Sequence, residues 1–289
     1  MKISAKHRGI CFILLSAFCF ACMSVCVRLS GDIPTIQKSF FRNAVALLVA
    51  TAVLLREKGA FRPENPKNWP LFFARSLFGT IGLLANFYAV DHLMLSDASM
   101  LNKMSPFFAV IASYFLLKEK ISPMQMLTLA GAFGGALFII KPTLSNMDLI
   151  PSLVGLLGGI CAGTAYTLVR KLGQKGERGP LIVFVFSAFS CLVALPFILL
   201  DYAPMTGQQL LFLLGAGLFA AGGQFSVTAA YCNAPAREIS IYDYSQVIFS
   251  AFLGFFLFSD VPDLYSMLGY VLICGMALAN YRYNLRHKA

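Results

Sequence analysis

Apolar residues run through this chain in long blocks, separated by short polar breaks. Gly9 to Val27, Ile121 to Ile140, Leu149 to Val169 and Gly179 to Leu200 contain no charged residue. Each block is long enough to cross a bilayer, which takes about 20 helical residues at about 1.5 Å each. The pattern predicts ten crossing helices, near 9–29, 34–55, 70–90, 97–117, 122–140, 150–169, 180–200, 208–231, 239–259 and 264–281. The connections are short except for Arg56 to Trp69, where Pro63, Pro66 and charges of both signs mark a solvated link. That leaves no room for a soluble domain, and no GxxxxGK[ST] or nucleotide-binding GxGxxG sequence occurs.

Composition agrees with this reading: 58% of residues are hydrophobic, only 12% are charged, and mean hydropathy is +0.73. The expected class is an all-α membrane protein of ten transmembrane helices. A formal charge of +10 invites a nucleic-acid reading, so the placement of the charges has to decide. With the N-terminus inside, seventeen Lys and Arg fall on the inner side and only Arg28, Lys38 and Lys141 on the outer. This is the positive-inside pattern. It places both termini in the cytoplasm of a multi-pass protein of a bacterial inner membrane, and it makes the lipid bilayer, not nucleic acid, the partner that the basic residues face. Outer loops instead carry Asp32, Asp91, Asp148, Asp201, Asp260 and Asp263.

Eight cysteines lie in or at the ends of spans, with no outer-loop pair to suggest a disulfide framework. Cys19, Cys22 and Cys26 share one helical face; that face suits either a soft metal or close small-residue packing. The histidines, at 7, 92 and 287, are dispersed. No metal or cofactor is called for. The first apolar stretch is too long for a cleaved signal peptide, and no Ala-x-Ala site follows it.

Sliding the chain by 141 positions superposes the fourth and fifth spans on the ninth and tenth without a gap. Ser99 falls on Ser240, Glu119 on Asp260, Met126-Leu127 on Met267-Leu268 and Gly134 on Gly275; near the start, Val27-Arg28 falls on Val169-Arg170 at an offset of 142. The two repeats are expected at 1–145 and 146–289. Five spans is an odd number, so the second copy enters the membrane upside down. The result is an inverted repeat with a pseudo-two-fold axis in the membrane plane, an arrangement many secondary transporters use for alternating access.

The duplicated five-span half, Phe41-Arg42-Asn43 at the start of the second span, and the run from Ser105-Pro106-Phe107-Phe108 to Leu117-Lys118-Glu119-Lys120 together resemble the drug/metabolite transporter superfamily, in its EamA-type branch. The likeness covers essentially the whole chain. It implies a helical basket whose central cavity opens to one side at a time, lined by spans one, three, four, six, eight and nine, with five and ten behind. Members of that superfamily move amino acids, nucleotide-related metabolites, vitamins, S-adenosylmethionine and other small polar solutes. In the second half Val247 stands for the Pro and Asp260 for the Glu, a departure that leaves the fold intact and the solute open.

Charges within hydrocarbon are costly and are kept where they face a cavity or a partner. Arg42, Arg75, Lys103 and Asp243 are the candidates. Arg42 either holds helices together or contacts solute; Arg75 either does the latter or snorkels to the inner headgroups. Lys103 and Asn102 precede Pro106, which lacks an N–H and whose ring collides with the carbonyl four residues earlier, that of Asn102. The helix is expected to kink there, so that Pro106 marks a gate and Lys103 contacts solute, unless the lysine snorkels outward. Asp243, between Tyr242 and Tyr244, either binds a cationic group or a proton or is a carboxylate favoured at a helix N-terminus. Measured along straight spans, Lys103 and Asp243 lie near opposite faces, too far apart for a static ion pair. Ser99, Asn102, Ser105, Ala109 and Ser113 line one face of the fourth span, as Ser240, Asp243, Gln246, Ser250 and Gly254 line one of the ninth, which is the look of a cavity wall. Asn86, Tyr166 and Gln224 add uncharged polar groups to the solute-binding set. Gly131, Gly134, Gly135, Gly269 and Gly275 read as close-packing positions.

The residues therefore predict a secondary transporter, not an enzyme, for a small polar or zwitterionic, amino-acid-like metabolite. A larger cofactor-like solute such as S-adenosylmethionine or a nucleotide derivative is the alternative, and a scaffold or lipid-handling protein without transport is the reading from another class. Monomer and dimer are both compatible with the sequence.

Overall fold

The structure, a computed structural model, describes residues 5–57, 61–117, 122–140, 148–233 and 242–286. It is all helical among the described residues: α1 (Ala5–Leu29), α2 (Thr35–Arg56), α3 (Trp69–His92), α4 (Leu95–Asn102), α5 (Ser105–Leu117), α6 (Pro123–Ile140), α7 (Leu149–Gln174), α8 (Gly179–Leu200), α9 (Gly207–Asn233), α10 (Ser245–Phe258) and α11 (Leu264–Arg286). Seven of these are long and apolar enough to cross a membrane alone. The predicted fourth span is the broken pair α4 and α5, and the ninth is α10 with a helical turn at Tyr242 and Asp243 before it. Lys118, Glu119, Lys120, Lys141, Arg237 and Ser240 lie outside the described residues.

The helices form because lipid offers no hydrogen bonds, so each span must satisfy its own backbone. Their polarity is then sorted inside out. α2 buries Gln37, Lys38, Ser39, Arg42 and Asn43 while Leu48 and Leu55 point outward. Phe115, Leu199, Ile248 and Val271 are likewise exposed, as expected of a surface meeting acyl chains.

Helices of the two halves pack in pairs: α1 with α9, α3 with α7, α2 with α8, α4 with α10 and α6 with α11. In spans these are one with eight, three with six, two with seven, four with nine and five with ten. Shifting every span by five maps this list on to itself, which is the signature of two inverted five-helix repeats interleaved about one axis. Small residues set the close approaches. The sulfurs of Cys19 and Cys26 lie over Gly222 and Gly215 of α9, so the cysteine face of α1 is a packing seam. Gly135 and Gly269 bring α6 and α11 together, with Gly131 against Met276; Gly134 is looser, and Gly275 faces open space instead of a helix contact.

At one end of the bundle Ser259 closes α10 in the left-handed conformation, φ 56°, with its N–H on Phe255 O and that of Asp260 on Gly254 O. The reversal carries Asp260 back over Gly254. There its carboxylate accepts both guanidinium arms of Arg28 and the Leu95 backbone N–H at 3.1 Å, while Arg28 lies 4.3 Å from the Phe258 ring centre. Asp91, expected in a loop, is instead within α3 and pairs at 2.6 Å with Lys38 of α2, which is only 1% exposed. Arg28 and Lys38 at this end each have a carboxylate within reach, which offsets part of the cost of burial.

Candidate functional site

The break in the fourth span falls where Pro106 requires it. α4 ends at Asn102; Met104 N–H then bonds Leu101 O, Phe107 N–H bonds Met104 O, and α5 starts afresh at Ser105. A feature the sequence reading passed over makes room for this irregular backbone. Gly155, Gly159 and Gly163 are spaced four apart along α7. A Cβ on Gly159 would lie 2.6 Å from Leu101 O, and one on Gly163 would strike Ser105 O and the Ala109 backbone. The glycine spacing was the available signal, since such runs allow helices to touch backbone to backbone.

The stripes of the fourth and ninth spans face each other. Ser99 and Ser250 hydroxyls are 2.7 Å apart, and a Cβ at Gly254 would sit 3.4 Å from that of Leu95. Both contacts give the same antiparallel register, which places Lys103 opposite Gln246 and Asp243 opposite Pro106. The two charges are then three residues apart in depth, about 4.5 Å, within reach of a lysine stem. Lys103 Nζ indeed lies 2.7 Å from Asp243 Oδ2, with both side chains 2% exposed. The expectation that they are too far apart is thus overturned. It counted depth from the ends of two straight spans, whereas both helices are broken and packed against each other at this level. Lys103 does not snorkel, and the buried Asp243 stands directly before Tyr244, the N-cap of α10.

Beside this pair is a cavity of about 80 Å³, room for several waters. Arg42, Arg75, Asn86, Asn102, Tyr166, Gln224 and Gln246 line it, with Phe20, Met23 and Phe186 among the apolar neighbours. Of the anticipated residues, Lys103, Asp243, Tyr242, Tyr244 and Pro106 stand outside that lining. Tyr242 packs edge-on to Tyr281, centroids 6.3 Å apart, and Tyr244 is buried in the adjoining turn. Spans two and seven also reach the cavity, through Arg42 and Phe186, which the expected set of lining spans omitted.

Arg75 turns inward and is 2% exposed, which excludes the snorkelling reading. Its guanidinium lies 3.9 Å from the Phe186 ring centre and that of Arg42 5.6 Å from the same ring, so one aromatic face from α8 draws two cations together. Gly79, one turn beyond Arg75, leaves space for this; a Cβ there would strike the guanidinium and Phe186. Arg42 donates to Asn43 Oδ1, and Asn43 in turn donates to Ser39 O at 2.9 Å. Arg42 Nε, Arg75 Nε, Arg75 Nη1 and Gln224 Nε2 have no hydrogen-bond partner among the described residues. Buried donors are paired in the great majority of cases. Two guanidiniums thus border one cavity, each with N–H groups unpaired among the described residues.

The EamA-like transporter family model matches the chain twice, over residues 7–141 and 149–281. The pseudopaline exporter CntI of Pseudomonas aeruginosa is 32% identical over 281 residues, 96% of this chain and 98% of its own. Human solute carrier family 35 member G1 is 26% identical over 93% of this chain and 77% of its own, and the riboflavin transporter of Brucella anthropi 25% over 90% and 93%. A solved crystal structure with 15% identity shares the fold at a TM-score of 0.70, covering 98% of this chain and 99% of that one. With both halves matched and a relative above 30% aligned end to end, the chain belongs to the EamA-like transporter family of multi-pass membrane proteins.

Proposed function

We propose that this transporter moves a small polar metabolite bearing an anionic group, in the amino-acid-like zwitterionic range, by alternating access across the inner membrane. Its halves, 1–145 and 146–289, act as the two inverted repeats, with both termini in the cytoplasm. Arg42 and Arg75 hold the anionic group, and Asn86, Asn102, Tyr166, Gln224 and Gln246 supply the neutral polar contacts around it. The observation that carries this reading is the set of unpaired guanidinium N–H groups on the cavity. Relatives named for pseudopaline and for riboflavin carry different cargo on one fold, so the cargo is argued from the cavity's charge. Among the described residues the cavity lining holds no Ser, His, Cys, Asp or Glu.

The test is solute counterflow. Purified protein in proteoliposomes is offered a mixture of amino acids, carboxylic acids and cationic metabolites, and entry is read by mass spectrometry. Anionic and zwitterionic solutes should enter. Arg42→Met and Arg75→Met should each lower that flux at least roughly tenfold, the value of one charge-assisted hydrogen bond. Selection of cations, or full flux in both variants, would sink the assignment.

A further inference from the structure

We propose that the cavity takes a solute with two carboxylates, one for each guanidinium, so that a dicarboxylic acid or dicarboxylic amino acid is preferred to a solute with a single anionic group. The inference rests on the anion reading of this cavity and narrows it.

Arg42 reaches the cavity from α2 and Arg75 from α3, and both approach one Phe186 ring, at 5.6 and 3.9 Å from its centre. Both arginines are 2% exposed. Like charges this close repel more strongly in a medium of low dielectric, and a buried charge is costly unless it is paired. Neither arginine has an ion pair among the described residues, and the lining holds no Asp or Glu among them. Asp243, beside the cavity, is already held by Lys103 at 2.7 Å, so that pair sums to zero. The cavity therefore carries two positive charges. A solute with one carboxylate leaves one of them unbalanced, and a solute with two balances both.

The supply of donors leads to the same count. Arg42 gives one N–H to Asn43 and keeps Nε without a partner, while Arg75 keeps Nε and Nη1, again among the described residues. A guanidinium over an aromatic face still offers its N–H groups in its own plane. Open donors thus stand on both guanidiniums, and a guanidinium and a carboxylate match one to one in their strongest arrangement. An ammonium on the same solute has acceptors of its own, because the amides of Asn86, Asn102, Gln224 and Gln246 on the cavity offer carbonyl oxygens as well as N–H groups. A cavity of about 80 Å³ favours a short carbon chain between the two acids.

Isosteric pairs that differ by one negative charge test this without transport. L-glutamate against L-glutamine, and succinate against succinamate, are titrated on to the full-length protein in detergent at about pH 7.5, where carboxylates are ionised. Binding is read from the rise in melting temperature. In each pair the acid should bind at least roughly tenfold more tightly than its monoamide, the value of one charge-assisted hydrogen bond. Arg42→Met and Arg75→Met should each bring the two members within about threefold, because only one guanidinium then remains to pair. Arg42→Lys and Arg75→Lys, which keep the charge, should hold part of the preference. Equal binding of acid and monoamide by the wild type, a preference unchanged in both Met variants, or binding of neither pair would overturn the proposal. A monoamide still carries one carboxylate, so equal binding sinks the second charge and leaves the anion reading standing; that reading falls only if the counterflow mixture yields cations.

Discussion

Gln37 and Glu177 hold corresponding places in the two halves, each at the entry to its second helix, and each grips the other half's loop at its own end of the bundle. Gln37 exchanges two hydrogen bonds with Ala203, Nε2 to O at 2.9 Å and N to Oε1 at 3.0 Å. Glu177 accepts from Glu64 N at 3.0 Å, Asn65 N at 3.3 Å and Asn68 Nδ2 at 2.6 Å. No residue identity links the two positions; the topology does, because an inverted repeat places the same inter-half contact at both ends.

Removing the Glu177 carboxylate leaves those donors to water. Hydrogen bonds to a charged acceptor are worth about 1.5–3 kcal/mol each, so Glu177→Ala should speed amide exchange at Glu64 and Asn65 at least roughly tenfold. Hydrogen–deuterium exchange resolves this. Gln37→Ala should leave those two amides unchanged and speed exchange at Ala203 instead. Equal loosening of both ends by either variant would mean that the grips are not independent.

On the proposed function, Arg75 is held for solute and not for stability. Its Nε and Nη1 are buried without partners among the described residues, an arrangement that costs about 1–3 kcal/mol per group, against about 2 kcal/mol recovered from a desolvated aromatic face. Arg75→Met should therefore lose solute flux while its melting temperature in detergent stays no lower than that of the wild type. Proteins often trade stability for a poised site in this way. A flux loss accompanied by a large drop in melting temperature would instead mark Arg75 as structural.

The Lys103–Asp243 pair calls for a mutant cycle. Breaking a buried pair on one side strands the other charge and costs about 3–5 kcal/mol, while replacing both partners can be nearly neutral. Lys103→Met and Asp243→Leu should each lower thermal stability markedly, and the double variant should recover most of the loss. Additive losses would show that the two side chains do not depend on each other.

What the sequence disclosed follows from what each signal measures. Span number and the repeat were legible because hydropathy and register survive any packing. The break before Pro106 was legible because a missing N–H is a local fact. Glu119 matching Asp260 and Arg28 matching Arg170 read only as marks of the repeat; in the structure, Arg28 and Asp260 are partners in one contact. The Lys103–Asp243 pair was not legible, since it depends on which spans touch and at what depth, and counting residues along straight helices mislocates both. Arg42 and Arg75 were singled out, but their convergence on Phe186 required the packing of α8 against α2 and α3.

Glycines that look alike in sequence should differ sharply on substitution. Gly163 touches the broken backbone of the fourth span, where a methyl group would meet Ser105 O and Ala109 N, neither of which is a movable side-chain end. Gly275 has nothing within 4 Å of the corresponding point. Gly163→Ala should destabilise by about 1–3 kcal/mol through overpacking. Gly275→Ala should be neutral or stabilising by up to about 1 kcal/mol, the helix-propensity gain of alanine over glycine. Thermal unfolding of both variants in the same detergent decides it. If Gly275→Ala is the damaging one, the tenth span packs differently from the arrangement described, and the seam between α6 and α11 has to be redrawn.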